Sequence, residues 1–315
     1  MDPKVLVPSL SYDKHKGQYG KVGIVGGCVE YTGAPYYAGI SALKTGADLC
    51  HVFCAPDAAI PIKCYSPELI VHPFLSPFLV TNVTSVLGRL DALVVGPGLG
   101  RDPDILDAAK TIIGAAKARQ LPLVLDGDAL FLVSTDLSLV HGYEQAILTP
   151  NIMEYTRLCV SLGLLDTLDL TQAATLPPQL VAAKLGHVTV LQKGHVDVVS
   201  DGVATTEQAS QGCPRRCGGQ GDVRAGRQHW NIPRMACRAT LVRLIAIHDR
   251  DSRSTPRKPP ATVAAPVSAL CLAALGGSLL TRESARLAFA THGRATTTPD
   301  LIASIPTAFG TLFDS

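Results

Sequence analysis

The sequence predicts an α/β fold with a central, mostly parallel sheet that is covered by helices on both faces. Short β-branched runs alternate with Ala/Leu-rich stretches of helical length, and several of these runs are continuously apolar, as strands buried on both faces are. This alternation is typical of a three-layer α/β/α arrangement. With 315 residues, of which 47% are apolar, we expect residues 1–315 to form a single domain.

The predicted elements follow one another along the chain. The strands are predicted at KVGIVGG (21–27), LCHVFCAP (49–56), DALVVGPG (91–98), LPLVLDGD (121–128), AILTPN (146–151), HVTVLQKG (187–194) and HVDVVS (195–200). Gly, Pro, Asn and Asp, which favour turns, bound most of them. The helices are predicted at YYAGISALKTGA (36–47), DILDAAKTIIGAAKA (104–118) and LTQAATLPPQLVAAKLG (170–186).

Composition argues against secretion and membrane insertion. The start, MDPKVLVPSLSYDKHKGQ, has no apolar leader segment, and no later apolar run reaches the roughly 18 uncharged residues of a membrane span. The nine cysteines are an odd number and form no CxxC pairs, so neither a disulfide framework nor a zinc site is indicated. We expect reduced thiols, a cytoplasmic location and no membrane partner.

The positive charge is concentrated in one segment. Residues 223–258 hold eight arginines and one lysine against two aspartates, whereas the whole chain has a net charge of only +2. Such a patch is one form of nucleic-acid site. The prolines at 233, 256, 259 and 260 interrupt helix, so a divergent insert at about 224–266 is the favoured interpretation, and no nucleic-acid partner is expected.

Glycine, amide and carboxylate groups follow successive predicted strands. They lie in the segments 26–35, 96–101, 126–128 and 149–154. Each alone is compatible with an ordinary turn or helix cap. Because ligands bind at the carboxyl ends of parallel strands, their recurrence there favours a binding edge. The first segment fits the GxGxxG spacing poorly, which disfavours a nicotinamide-dependent dehydrogenase.

The last third of the chain indicates phosphate chemistry. Residues 193–197 (KGHVD) form a turn between two strands, and the glycine-rich run 212–221 leads to Asp222 at an expected helix start. Unpaired amides at such a start bind phosphate oxygens or an oxyanion. An aspartate there can accept the proton of a substrate hydroxyl, although it could also be a plain N-cap.

Eight segments, in order, resemble one family. They are HKGQYGKVGIVGG (15–27), EYTGAPYYAGISALKTGADL (30–49), YSPELIVHP (65–73), VVGPGLGRD (94–102), LTPNIMEYTRL (148–158), LQKGHVDVVSDG (191–202), RRCGGQGD (215–222) and HGRATTTPDLI (292–302). Together they are similar to the ATP-dependent NAD(P)H-hydrate dehydratases, over about residues 14–222 and 267–310. The resemblance implies a ribokinase-like fold. It also implies repair of the S form of hydrated NADH or NADPH (NADHX, NADPHX), with release of ADP and phosphate.

The resemblance also implies roles for particular residues. Catalysis would fall to Asp222 as base, with the amides of Gly219 and Gly221 in the anion hole. The hydrated dinucleotide would meet Gly98, Asn151, Ile152, Met153, Glu154, Tyr155, Thr156, Arg157 and Asp222. ATP would be bordered by Lys193, Gly194, His195, Val196, Asp197, Gly212, Cys213, Pro214, Arg215, Arg216, Cys217, Gly218, Gly219, Gln220 and Gly221. Glu154 would act on Mg²⁺, through water.

Two departures from the family pattern bear on this assignment. Gly127 stands where relatives usually have alanine, which loosens the backbone. After Asp222 the family continues with an apolar helix, whereas this chain has arginines and Pro233, and we hypothesise that 224–266 is an aberrant replacement. A small-molecule hydroxyl kinase and a catalytically impaired nucleotide binder therefore remain alternatives. The sequence does not indicate the oligomeric state.

Overall fold

A nine-stranded sheet forms the centre of the molecule. The computed structural model describes residues 2–215 and 267–314. The strands are β1 (Lys21–Val25), β2 (Leu49–Phe53), β3 (Leu69–His72), β4 (Ala92–Val95), β5 (Leu123–Leu125), β6 (Ala146–Leu148), β7 (Thr189–Gln192), β8 (Asp197–Ser200) and β9 (Thr205–Gln208). Their order in the sheet is β3-β2-β1-β4-β5-β6-β7-β8-β9. All neighbours up to β7 pair in parallel, and β8 and β9 add an antiparallel edge, so the prediction of a mostly parallel sheet is confirmed.

Helices cover both faces of this sheet. They are α1 (Gly33–Lys44), α2 (Pro56–Tyr65), α3 (Val80–Val86), α4 (Pro103–Ala118), α5 (Asp128–Thr135), α6 (Ile152–Ser161), α7 (Leu170–Thr175), α8 (Pro178–Lys184), α9 (Ala269–His292) and α10 (Thr298–Phe309). Side chains of α3 to α8 share one apolar cluster with the sheet, and those of α1, α2 and α9 share another on the opposite face. The predicted three-layer α/β/α architecture is confirmed. Of the helices in the described ranges, none has both the length and the apolar character of a membrane span.

The inner strands are apolar throughout because both of their faces are buried. In β4, Leu93 and Val95 face the first cluster, whereas Ala92 and Val94 face the second. Successive side chains of a strand point to opposite faces, so a strand buried on both faces needs a continuous apolar run. This is why the sequence pattern located the central strands well.

The sequence pattern did not predict the edge strands of the sheet or the helix break at a proline. The helix predicted over 170–186 is two helices, α7 and α8, because Pro177 lacks an N–H and holds Leu176 in an extended conformation (φ −79°, ψ 123°). Strands β3 and β9 were not predicted. Both are four residues long, and β9 (TTEQ) is polar because it lies at the sheet edge with one buried residue, Gln208.

The seven cysteines in the described residues are free thiols, five of them buried. Burial raises the pKa of Cys50, Cys54 and Cys271 to about 12. These three thiols are therefore protonated at neutral pH and act as small apolar side chains in the core. For these residues the prediction of reduced thiols is confirmed.

Candidate active site

The carboxyl ends of five adjacent strands meet along one edge of the sheet. The register pairs Val95 with both Val25 and Leu125, which aligns the ends of β1, β4 and β5. The residues that directly follow β1, β4, β5, β6 and β7 are Gly26, Gly96, Asp126, Thr149 and Lys193. The polar and glycine-rich segments that the sequence placed at strand ends are therefore neighbours in space, as predicted.

Glycines allow the loop after β4 to approach its neighbours at backbone level. Gly96 has φ +118°, and a Cβ there would collide with the carbonyl oxygen of Asp126. Gly98 has φ +61°, and a Cβ there would collide with the carbonyl oxygen of Tyr31. The carbonyl oxygen of Gly98 accepts a hydrogen bond from the N–H of Gly27 at 3.0 Å. No other residue type would fit both positions without moving the backbone.

A buried ion pair lies at the ends of β5 and β7. The Nζ of Lys193 lies 3.1 Å from Oδ2 and 3.2 Å from Oδ1 of Asp126, and both side chains are almost fully buried. Asp126 also accepts from the N–H of Gly127 at 2.7 Å, and the N–H of Lys193 donates to the carbonyl oxygen of Pro150 at 3.0 Å. The pair ties three strand ends together. Because each charge compensates the other, the loss of either partner would leave an unpaired charge in the interior.

Helix α6 begins at this edge with a capping box. Asn151 Oδ1 accepts from the N–H of Glu154 at 3.0 Å, and Glu154 Oε2 accepts from the N–H of Asn151 at 2.8 Å. The helix N-terminus therefore lies beside the loop after β6, and its dipole favours negative charge there. A helix start of this kind suits a phosphate-bearing ligand.

The residues of the N-I-M-E-Y-T-R run do not share one environment. The side chain of Met153 is 42% exposed, and Ile152 and Arg157 are half-buried. Tyr155 and Thr156 lie in the core, where Tyr155 donates its hydroxyl to the carbonyl oxygen of Leu176 at 3.0 Å. Burial raises the pKa of the Tyr155 hydroxyl. The side chains of Tyr155 and Thr156 therefore pack α6 against the core. Only the first turn of this helix lies at the strand edge.

The turn at residues 193–197 joins β7 to the antiparallel strand β8. Asp197 is 2% exposed, and its Oδ1 accepts from the N–H of Gly194 at 2.9 Å, which closes the turn. Its Oδ2 accepts from the hydroxyl of Ser278 in α9 at 2.6 Å. The aspartate of this motif therefore shapes the turn and anchors it to α9.

Arg282, also in α9, binds the same aspartate. Its Nη2 lies 2.9 Å from Oδ1 of Asp197, and its Nε donates to Oδ2 at 3.3 Å. The remaining donors reach backbone carbonyls of the turn and of the segment after β9. The sequence analysis did not predict a role for Arg282. The one sequence signal is its position inside the small-residue run ALGGSLLTRESA (274–285), where a charged residue is unusual.

The segment after β9 leads towards the glycine-rich motif. A Cβ on Gly212 would contact the backbone of Arg282 at 3.6 Å, so this segment passes close to α9. Arg215 donates from Nε to the carbonyl oxygen of Thr296, between α9 and α10, at 3.4 Å. The two C-terminal helices therefore form the wall along which residues 209–215 run.

A family model for the NAD(P)H-hydrate dehydratases matches residues 22–228 of this chain. This stretch includes the whole strand edge described above. The chain belongs to this family. The ATP-dependent (S)-NAD(P)H-hydrate dehydratase of Bos taurus is 47% identical over 98% of this chain and 88% of its own length. The protein of the same name from Entamoeba histolytica is 43% identical over 98% of this chain and 93% of its own length.

Solved structures agree on the fold. A ribokinase-like superfamily protein from Enterococcus faecalis V583 superposes with a TM-score of 0.74 at 21% identity, over 100% of this chain and 96% of its own. An ADP/ATP-dependent NAD(P)H-hydrate dehydratase from Bacillus subtilis, co-crystallised with ATP and Mg²⁺, has a TM-score of 0.68 at 17% identity, over 98% and 96% of the two chains. The ribokinase-like fold is thereby confirmed.

Part of the predicted dehydratase site lies outside the described residues. Arg216, Cys217, Gly218, Gly219, Gln220, Gly221 and Asp222 belong to this part, as does the divergent segment 224–266. The other predicted site residues fall into two groups on the described strand edge. Gly98 and residues 151–157 lie around the ends of β4 and β6, and residues 193–197 with 212–215 lie around β7 and β9.

Carboxylate side chains are the ligands of this chain that could serve Mg²⁺. The described part of the chain contains no cluster of three His, Cys, Asp or Glu side chains able to hold a metal ion. Mg²⁺ bound with a nucleotide needs only one or two carboxylates, since phosphates and water supply the other ligands. The family resemblance implied this role for Glu154; the residue lies in the first turn of α6, where its Oε2 accepts from the N–H of Asn151.

Proposed function

We propose that this chain is an ATP-dependent (S)-NAD(P)H-hydrate dehydratase. The observation that carries the proposal is identity of 42–47% to curated proteins of that name from animals and Entamoeba, over nearly the whole chain. These alignments include both the strand edge and the C-terminal helices. The substrates are ATP and the S form of NADHX or NADPHX, and the products are ADP, phosphate and NADH or NADPH.

The reaction needs ATP because hydroxide is a poor leaving group. Transfer of the γ-phosphoryl group to the ring hydroxyl converts that oxygen into part of a phosphate, which leaves readily. The C–O bond then breaks, the adjacent ring carbon loses a proton, and the dihydropyridine is restored. A fold that transfers a phosphoryl group from ATP to a hydroxyl can therefore also catalyse this dehydration.

The strand edge divides into two halves. The substrate half comprises residues 96–100 and 149–157, where the glycines of the loop after β4 admit a ligand to the backbone and the start of α6 faces its phosphates. The nucleotide half comprises residues 193–197 and 212–215, which border ATP, together with residues 209–211, which lead from β9 to them. Asp222, which follows the nucleotide half in sequence, is the base that accepts the hydroxyl proton, and the amides of Gly219 and Gly221 hold the transferred phosphoryl oxygens.

Mg²⁺ bound with ATP would offset the charge of its phosphates. Glu154 would bind a water molecule of this ion. Lys193 is buried and stabilises the strand edge through its ion pair with Asp126. A cytoplasmic location remains a prediction, supported by the free thiols.

The test is an assay with purified protein, the S hydrate of NADH, ATP and Mg²⁺. We expect regenerated NADH, followed by its absorbance, and ADP in equal amounts. The R hydrate and a reaction without ATP are controls and should give no NADH. ADP formation with an alcohol such as hydroxyethylthiazole, but none with the hydrate, would instead support a hydroxyl kinase. Binding of ATP without any turnover would support a catalytically impaired relative.

A further inference from the structure

We propose that Arg282 is a positioning residue for the nucleotide half, which it fixes from α9 without touching ATP itself. The inference rests on the proposed function, because it concerns how the ATP-binding segments keep their shape. Arg282 is distant in sequence from the residues of the strand edge. If it positions the nucleotide half, the C-terminal helices contribute to the affinity for ATP.

All three nitrogens of the Arg282 guanidinium donate hydrogen bonds inside the protein. Nε donates to Oδ2 of Asp197 at 3.3 Å, and Nη2 lies at ion-pair distance, 2.9 Å, from Oδ1. Three more bonds end on backbone carbonyl oxygens, those of Gly194 (3.1 Å), His195 (3.1 Å) and Ser210 (2.7 Å). The residue is buried, so the guanidinium serves the protein and not a phosphate at the strand edge.

These bonds join two segments that lie just beyond the β8/β9 ladder, which ends at the pair of Asp197 and Gln208. Gly194 and His195 belong to the turn between β7 and β8, whereas Ser210 follows β9 and begins the approach to the glycine-rich motif. Arg282 lies 72 residues beyond Ser210 and 88 beyond Gly194. The arginine thus fixes the spacing between the turn 193–197 and the segment that leads to residues 212–215.

The charge of Arg282 is balanced where it lies. The residue is 4% exposed, and its partner Asp197 also accepts from Ser278 at 2.6 Å. A buried charge is tolerated only when it is paired and hydrogen-bonded. A lysine at position 282 would keep the positive charge, but its three donors are on a single nitrogen. It therefore cannot contact both carboxylate oxygens of Asp197 and the three carbonyl oxygens that the planar guanidinium reaches. Arg282→Lys therefore loosens the two segments while it keeps the ion pair.

The experiment compares Arg282→Lys with the wild-type protein in the hydrate assay. We expect the KM for ATP to rise about tenfold, the KM for the hydrate to stay within about twofold, and kcat to change less than the KM for ATP. A purely structural role would lower the amount of active protein and would leave both KM values unchanged. ATP binding by calorimetry should weaken by the same factor as the KM.

Two further variants make the test decisive. Arg286→Lys is the matched control, since Arg286 lies one turn further along α9, is half-exposed and pairs with Glu283. It should leave both KM values unchanged. Ser278→Ala removes a hydroxyl from Asp197 and keeps the arginine, so it should raise the KM for ATP about twofold even if Arg282→Lys does not fold.

The outcomes separate this inference from the proposed function. Wild-type protein that neither binds ATP nor converts the hydrate overturns both. Active wild-type protein together with an unchanged KM for ATP in folded Arg282→Lys overturns only the positioning role. If Arg282→Lys does not fold, an unchanged KM for ATP in Ser278→Ala overturns it in the same way.

Discussion

At the start of α6 in the substrate half, neighbours in sequence hold one another in place, whereas the two buried ion pairs of the nucleotide half join distant parts of the chain. Asn151 and Glu154 cap the same helix, three residues apart. By contrast, Lys193 is held by Asp126, 67 residues earlier, and Asp197 by Arg282, 85 residues later. The first kind of contact forms locally, and the second forms only after the sheet and α9 have assembled.

This difference predicts different consequences of mutation. A change in the substrate half should act mainly on the hydrate, with modest losses in stability. A change in the nucleotide half should either weaken ATP binding or leave a buried charge unpaired, which is costly. Five predictions test the comparison, from the largest expected effect to the smallest.

Asp222→Asn should have the largest effect, because it removes the proposed base. We expect kcat to fall by about 10²- to 10⁴-fold, the typical contribution of general base catalysis, with little change in either KM. Single-turnover measurement of hydrate consumption checks this. A fall in kcat of less than about tenfold would mean that Asp222 is an N-cap residue and that another group takes the proton.

Lys193→Met should destabilise the protein by about 3–5 kcal/mol, because it leaves the buried carboxylate of Asp126 without its partner. Urea denaturation measures the loss. Adding Asp126→Asn should recover part of it, since no buried charge then remains unpaired. Lys110→Met is the matched control, because Lys110 forms an exposed pair with Asp107 and should change stability by about 0.5 kcal/mol or less.

Gly98→Ala should raise the KM for the hydrate about tenfold and leave the KM for ATP unchanged. The new Cβ meets the carbonyl oxygen of Tyr31 and displaces the loop after β4, at a stability cost of about 1–3 kcal/mol. Gly163→Ala is the control. Gly163 has a similar φ of +63° with open space around it, so it should show strain without any change in KM. Equal effects on both KM values would remove the distinction between the halves.

Asn151→Ala should cost about 1 kcal/mol of stability, because the first turn of α6 loses its cap. The KM for the hydrate should rise as well, since the helix start frays beside the ligand. Asp169→Ala, which removes the cap of α7 away from the strand edge, should cost a similar amount without a kinetic effect. Thermal denaturation and steady-state kinetics of the two variants provide the comparison.

Acid should destabilise the fold at a third place, between β2 and β3. Nδ1 of His51 lies 3.0 Å from Nε2 of His72. Burial, followed by His72 and nearby Lys21 and Arg89, lowers the pKa of His51 from 6.5 to about 4. The unfolded state therefore binds more protons between these pH values. Stability should fall as pH drops from about 6.5 to 4, by on the order of 1 kcal/mol, because the half-exposed ring is partly screened.

Urea midpoints across this pH range provide the measurement. His51→Gln should flatten the pH dependence, and His141→Gln, at an exposed site, should not. If His51→Gln keeps the full dependence, the acid sensitivity comes from elsewhere. The kinetic measurements on variants of the two halves should be made above pH 6.5, where the protonation of His51 does not change stability.

The sequence alone determined the parallel sheet, its binding edge and the local motifs on it. Continuous apolar runs locate strands buried on both faces, and Asn151 with Glu154 is a capping pattern readable from four residues. The turn 193–197 was likewise predictable between two strands. Only the tertiary structure decided that Lys193 is buried against Asp126, that Tyr155 lies in the core, and that Arg282 binds Asp197 and three nearby carbonyl oxygens. These contacts depend on which distant segments the assembled sheet and α9 bring together, and residue type and spacing carry little information about such pairings.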